Sequence, residues 1–314
     1  MYEISCPFVP LDDSIDDLIA QYNYPSPIPE SDGSFILEKN KHYLISCNEE
    51  IYLPSHIYAN MSPKSSIGRI DLHVRMIGDN NKYYDHFPFG YQGKLWFIIT
   101  ANSFSTQILP GTPVNQMMLF EEKSLLQTQS FQALYNKDQE AMPAFHFSEQ
   151  SMVCDMSIDI QPGETAGYRA KNTDKILDIR KTKNNIQEDF FELIETGNQG
   201  KLKLEKDGFY IFTSYERITV PADYSCEMIP SDNTKGELRV HYAGFFDPGW
   251  GMGNRGDRGV LEIRPYEDII ISHRQPIAQM RYNPNIQIPE VLYGVEKKSN
   301  YAGQEKNKLS KYFQ

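Results

Sequence analysis

The chain has 314 residues, and its 42 acidic against 31 basic side chains give a formal net charge of −11. That balance argues against a broad nucleic-acid-binding face, and no apolar run approaches the ~20 residues of a membrane span. A composition of 40% hydrophobic and 23% charged residues is that of a globular chain long enough for two domains with cores of their own.

The opening MYEISCPFVPLDD lacks the basic start and continuous apolar core of a signal peptide, so the expected location is the cytoplasm. SIDDLIAQYN follows, with apolar residues three or four apart behind a polar start, and predicts a helix. From there strand signals dominate. KHYLISC, IYLPSHIYA and KLWFIIT are short, rich in β-branched and aromatic residues, and bounded by Pro, Gly or Asn. NIQEDFFELIE, at 185–195, has helical spacing and predicts a second helix. FYIFTSYERITVP, GELRVHYAGFF, GVLEIRP and DIIISH complete an all-β pattern with a few short peripheral helices.

Pro54, Met61 and Pro63 stand seven and nine residues apart, and Pro221, Met228 and Pro230 repeat those intervals. Each triplet follows a strand candidate and precedes a Gly-containing turn, a strand, and a glutamine before apolar residues: Gln116 in VNQMMLF, Gln279 in IAQMRY. The shared order predicts two repeats, with domains expected at about 1–150 and 151–314.

Between the repeats the chemistry is uneven. SPKSSIGRID, at 62–71, sets Lys64, Ser65, Ser66 and Arg69 around a turn expected at Gly68, whose N–H groups add to donors suited to an oxyanion. By itself it also reads as a serine-rich turn with solvated charges. Asp247 in FDPG reads as a turn aspartate. Glu262, flanked by Leu261 and Ile263, reads by alternation as a strand glutamate facing solvent. Cys6, Cys47, Cys154 and Cys226 are too far apart for zinc pairs and are expected to be reduced thiols. The seven histidines show no metal-ligand spacing. GMGNRGDRG, at 251–259, precedes a strand rather than a helix and is expected to be a flexible hairpin loop, with Arg255 and Arg258 as remote candidates for phosphate.

PKSSIGR, AGFFDPGWG, GVLEIRP and IAQMRY stand in the order found in the dUTPase and dCTP deaminase superfamily, and the chain most resembles dCTP deaminase in its long, two-domain bacterial form. The resemblance covers most of the chain. It implies tandem dUTPase-like distorted β-barrels or jelly rolls, with active sites lying between neighbouring copies, and deamination without zinc by a glutamate-activated water attacking C4 of cytosine. Matched motif by motif, it implies catalytic parts for Ser65, Arg69, Ala243 (its carbonyl holding the water) and Glu262. Lys64, Ser66, Asp247 near the deoxyribose, and Gln279 are then nucleotide-binding. The end of the chain, SNYAGQEKNKLSKYFQ, is similar to the family's nucleotide-covering tail, which implies contacts from Tyr301, Gln304 and Lys306.

Set beside that pattern, the halves are complementary. No Asp or Glu occurs from His86 through Phe120, and counting from the glycine turn puts Ile98 at the glutamate's position, where the long form tends to have an acid. PSDNTKGE replaces PKSSIGR in the second half, removing the paired serines and the arginine. One composite site per chain is expected, formed within a chain or across an oligomer interface. Expected partners are a nucleotide (dCTP, with dUTP and dTTP as further candidates) and other copies of the chain in a homo-oligomer, not nucleic acid or a membrane. Mg²⁺ is expected with the triphosphate, neutralising its charge, and zinc is expected to have no part. The rival expectations are a dUTP diphosphatase, a bifunctional deaminase–diphosphatase, and a non-catalytic nucleotide-binding regulator.

Overall fold

The structure, a computed structural model, describes residues 1–121, 145–147, 152–230, 238–240, 244–252, 256–294, 301, 303 and 308–314. It is all-β, as the strand pattern predicts. Among the described residues no helix is long and apolar enough to cross a membrane.

Two compact units are present, one comprising 1–123, 171–190 and 310–314, the other 124–170 and 191–309. This division differs from a single boundary near residue 150. Residues 171–190 and the last five residues lie beyond that boundary and group with the first unit.

The first unit contains a four-stranded sheet in the order Tyr2–Ile4, His42–Tyr52, Gln92–Ala101, Leu72–Gly78. A three-stranded sheet, His86–Phe87, Ile57–Pro63, Asn115–Glu121, carries the segment leading into the serine motif. A third joins Leu177–Asp178, Thr106–Ile108 and Phe35–Leu37. The predicted N-terminal helix is present at Ile15–Tyr22. Ser14 caps it by accepting the Asp17 N–H, and Asn23 ends it in the left-handed conformation.

The second unit has a five-stranded sheet ordered Phe191–Glu195, Thr165–Ala170, Tyr210–Ile218, Asp257–Pro265, Leu238–Val240. A second five-stranded sheet runs Phe145–Phe147, Met152–Ser157, Pro276–Pro284, Tyr224–Pro230, Phe245–Phe246. Tyr210, Phe212, Leu261 and Ile263 from one sheet and Cys226, Met280 and Tyr282 from the other share a single buried core. The helix expected at 185–195 does not form. Gln187–Asp189 make one 3₁₀ turn, and Phe191–Glu195 pair antiparallel with Thr165–Ala170. Phe190 is buried where it ends the 3₁₀ turn, and Phe191 is buried where it opens the ladder opposite Ala170.

The repeat is visible in the backbone. Leu37-Glu38-Lys39-Asn40 and Leu204-Glu205-Lys206-Asp207 each end on a left-handed residue, with Asn40 at φ 65° and Asp207 at φ 59°. Asn40 N–H donates to the Ala101 carbonyl and Asp207 N–H to that of Pro265. Tyr43 Oη accepts the Glu38 N–H at 3.0 Å, and Tyr210 Oη accepts the Glu205 N–H at 2.9 Å. Corresponding bulges interrupt Ser46/Glu50 and Thr213/Arg217. Met61 faces Met117 in one ladder as Met228 faces Met280 in the other, which makes Gln116 the counterpart of Gln279.

Candidate functional site

Lys64, Ser65, Ser66 and Arg69 lie together on one turn of the first unit. Pro63 ends the incoming strand, Lys64 is extended at φ −68° and ψ 144°, and Ser65–Gly68 then close a single helical turn. Ile67 and Gly68 donate their N–H groups to the Lys64 carbonyl and Arg69 donates to that of Ser65. The donors expected to be freed at Gly68 are therefore spent inside the turn, a correction to the simple loop. Ile67 is fully buried and anchors the turn, while Ser66 and Arg69 are also buried, Arg69 at 5% exposure.

What holds the far end of this turn is Asp71, which sequence reasoning did not single out. It is fully buried and left-handed at φ 56°. Its N–H donates to the Gly68 carbonyl at 2.9 Å, and its carboxylate accepts from Ser103 Oγ at 2.6 Å. A left-handed aspartate costs roughly 1–2 kcal/mol; the buried charge-assisted hydrogen bond from Ser103 offsets that cost. The chain exit two residues beyond Arg69 is thereby fixed.

Within the C-terminal stretch that the resemblance implies covers the nucleotide, Ser310 is the other residue that sequence reasoning did not single out. Ser310 Oγ donates to the Ser66 carbonyl at 2.7 Å, in the same unit as the serine turn. Leu309, Ser310, Tyr312 and Phe313 are buried. Asn184 and Asn185 N–H groups both donate to the Tyr312 carbonyl, and Phe313 packs on Phe190.

In the second unit, Glu262 sits mid-strand opposite Ile211. Leu261 and Ile263 point into the shared core, so Glu262 occupies the opposite face, and it is nevertheless only 2% exposed. A solvent-facing strand glutamate is thereby ruled out. The register also fixes its counterpart: Ile211 corresponds to Leu44, and Leu44 faces Ile98. Ile98 is 1% exposed and lies in an apolar cluster with Ile15, Leu44 and Ile77.

Asp247 follows Phe245–Phe246, which pairs with Tyr224–Pro230. Trp250 N–H donates to its carbonyl at 3.1 Å, closing the expected turn. In the first unit Phe87 faces Ala59 as Phe246 faces Cys226, and Tyr91 N–H closes the equivalent turn on Pro88. Pro88 therefore stands where Asp247 does. Gln279 donates through Nε2 to Asp155 Oδ1 at 2.8 Å on the adjacent strand. Arg258 is bonded to Asp159 and to the Ser214 carbonyl, which makes it a strand clasp rather than a loop cation. Asp257 and Arg258 belong to the strand, so the expected hairpin loop is shorter than 251–259. Tyr301 packs with Lys308, whose Nζ lies 5.7 Å from the ring centroid. Ala243, Gln304, Lys306 and Arg255 lie outside the described residues.

Comparison with known proteins accords with this architecture. The family model described as the 2'-deoxycytidine 5'-triphosphate deaminase (DCD) N-terminal domain matches residues 1–123, and that of the C-terminal domain matches 121–313. A search of curated proteins finds no match. Among solved structures, the crystal structure of 2'-deoxycytidine 5'-triphosphate deaminase from Agrobacterium tumefaciens is similar, with 30% sequence identity and a TM-score of 0.81 over 92% of this chain and 87% of that one. With both domains matched in order and the fold shared along their length, the chain belongs to the 2'-deoxycytidine 5'-triphosphate deaminase family.

Proposed function

We propose that the chain is a dCTP deaminase, converting dCTP and water to dUTP and ammonia, with Glu262 as the base that activates the water. The observation that carries this reading is the buried carboxylate of Glu262, 2% exposed, at a strand position where the other repeat has Ile98. A carboxylate withdrawn from water and held at a fixed register is suited to taking and returning a proton. In the proposed step the water oxygen bonds to C4 of cytosine as the C4–N3 double bond opens, and one water proton passes to Glu262 and on to N3. Glu262 then takes the remaining hydroxyl proton and gives it to the amino group; C4=O forms as the bond from C4 to the amino nitrogen breaks, ammonia leaves, and Glu262 is ionised again. Ser65 and Arg69 position the nucleotide, and the Ala243 carbonyl holds the water. Lys64 and Ser66 bind phosphate, Asp247 faces the deoxyribose, and Gln279, Tyr301, Gln304 and Lys306 complete the nucleotide contacts. Mg²⁺ enters with the triphosphate and neutralises it.

Each chain then supplies one complete set of groups, the cradle from the first unit and the carboxylates from the second. Product analysis tests this directly. Incubation with dCTP, dUTP and Mg²⁺ should release ammonia and dUTP, unchanged by a zinc chelator. Pyrophosphate with dUMP instead would identify a diphosphatase, both product pairs a bifunctional enzyme, and tight dCTP binding without product a regulator. Mixing inactive Arg69→Ala and Glu262→Gln chains reads the origin of the two sets. Activity regained on mixing means that they come from different copies, and a dead mixture that they come from one. The deaminase reading places the reaction in the supply of dUMP for thymidylate synthesis.

A further inference from the structure

We infer that the strand Asn115–Glu121 is an interface between two copies of the chain, each adding a strand to the other's sheet across a twofold axis at Met118. The two repeats differ at this edge. In the second unit the corresponding strand, Pro276–Pro284, has Met152–Ser157 antiparallel along its other edge, with Cys154 opposite Met280 and Met152 opposite Tyr282. Met280 and Tyr282 are there 0% and 1% exposed. Matching Met61 and Met117 to Met228 and Met280 makes Met117 the counterpart of Met280 and Leu119 that of Tyr282. Among the described residues, Asn115–Glu121 pairs only with Ile57–Pro63, and Met117 and Leu119 are 45% and 54% exposed. Both lie on the face of Ala59 and Met61, which belong to a buried core, so the side left open is the core side of the sheet.

The backbone at this edge is set to accept a strand. Lys64 N–H donates to the Val114 carbonyl at 3.0 Å, and alternation along the ladder then turns the N–H and C=O groups of Met117 and Leu119 away from Ile57–Pro63. Met61, opposite Met117, accordingly sends its own N–H the other way, to the Asp85 carbonyl at 2.7 Å. Residues 115–120, NQMMLF, carry no charge and no proline, and the ladder has no bulge, so none of the usual edge protections is present. The other face of the sheet differs between repeats in the same sense. Glu227 and Arg281, 3.7 Å apart, correspond to Asn60 and Met118, while Ser225 and Asn283 correspond to Tyr58 and Phe120, stacked at 4.9 Å with the exposed Phe89 edge-on to Tyr58. The occupant is a second copy because the edge is its own complement. Antiparallel pairing about Met118 sets Met117 opposite the partner's Leu119, so their outward backbone groups satisfy each other and Met–Leu pairs close the open core side. A return of the same chain is disfavoured: residues 122–135 contain no Gly, Asn, Asp or Pro for a tight turn, and the chain is next described at Phe145–Phe147, in a sheet of the second unit.

The test is sedimentation velocity of the full chain, with hydrogen exchange on the same samples. The wild type should dimerise, with slow exchange at the Met117 and Leu119 amides. Leu119→Pro deletes an outward donor that takes no part in the ladder with Ile57–Pro63, so the fold should stand, while the Kd of the dimer rises at least about tenfold. Met117→Lys should weaken the dimer as well, by placing a charge on the edge. Leu193→Lys, at an exposed position on the strand Phe191–Glu195, should change nothing. Thermal melting separates loss of association from loss of fold. Cross-linking reads the register. Facing residues of a non-hydrogen-bonded antiparallel pair have Cα atoms about 4.5 Å apart, within disulfide reach. Met118→Cys, in a Cys6→Ser background that removes the exposed thiol, should therefore oxidise to a covalent dimer. A monomeric wild type overturns the inference: fast exchange at Met117 and Leu119 would mean an open edge, and slow exchange an edge covered by the chain's own residues 122–144. An oligomer that withstands both edge substitutions and gives no Met118→Cys cross-link overturns it too, because its interface lies elsewhere.

Discussion

The two repeats share a backbone but put equivalent positions to opposite uses. In the first unit the face carrying Ile98 is closed by the N-terminal helix: Ile4, Ile15, Leu44, Ile77, Trp96 and Ile98 form one apolar cluster, with Ile19 packed against it. Ile15 is fully buried there, and its N–H is held by Asp79 Oδ1 at 2.7 Å. In the second unit the same register position carries Glu262, and the position of Asp247 matches Pro88. Two positions that the family resemblance assigns to nucleotide chemistry are therefore apolar or proline in one copy. A duplicated fold allows one copy's site positions to become ordinary core, provided that the other copy keeps the chemistry.

The strongest way to break this comparison is to exchange the two positions. Glu262→Gln should lower kcat for dCTP by about 10²–10⁴, the usual worth of a general base, while leaving the urea midpoint near that of the wild type. Ile98→Glu should do the reverse in kind. It places a carboxylate among Ile15, Leu44 and Ile77 and should cost at least about 3 kcal/mol in stability, with no gain in turnover. A folded Ile98→Glu protein with doubled activity would mean that the first unit retains a latent site.

A smaller effect separates the two glycine turns that align when Phe87 is matched to Phe246. Gly90 and Gly249 both have positive φ, 71° and 95°. A Cβ at Gly90 meets nothing nearer than Ser55 Cα at 3.5 Å, whereas one at Gly249 would lie 2.8 Å from Leu292 Cβ and 3.0 Å from the Tyr293 carbonyl oxygen. Gly90→Ala should cost about 1 kcal/mol from backbone strain alone. Gly249→Ala should cost about 2–3 kcal/mol because crowding is added. Equal urea midpoints for the two variants would show that the turn beside Asp247 is no more constrained than its counterpart.

Much of this organisation was legible in the sequence because sheets leave a local record. Alternation and Pro/Gly punctuation marked the strands, and counting from the glycine turn placed Ile98 opposite the role of Glu262, which the register of the ladders supports. Where the physics is tertiary, the sequence was silent or misleading. Leu261-Glu262-Ile263 has the alternation of a solvent-facing strand, and nothing local reveals that the face bearing Glu262 is buried. NIQEDFFELIE has helical spacing, but pairing with Thr165–Ala170 and burial of two adjacent phenylalanines outweigh that preference. Asp71 and Ser310 matter through partners 32 and 244 residues away, a distance no motif spans.

The finest test of the comparison lies at the paired bulges. Glu216, in the Thr213/Arg217 bulge, is buried and accepts from Ser157 twice, through the backbone N–H at 2.7 Å and through Oγ at 2.6 Å. Its counterpart in the Ser46/Glu50 bulge, Glu49, is exposed. Burial, partly offset by the Ser157 hydrogen bonds and reinforced by the charge of Asp155, raises the pKa of Glu216 above its ordinary 4.5. The folded state therefore holds this proton more tightly than the unfolded chain does. Below pH 4.5 both states are protonated and folding gains the most from this group. As pH rises through 4.5 and past the higher folded value, that contribution is lost, with a slope no steeper than about 1.4 kcal/mol per pH unit. Glu216→Gln removes the titration at the constant cost of a hydrogen-bond acceptor, so the stability of the wild type relative to this variant should fall with rising pH until it levels off. Urea unfolding from pH 4 to 8 reads this difference, and a Glu216→Gln curve parallel to the wild type would mean that the buried bulge carries no titration of its own.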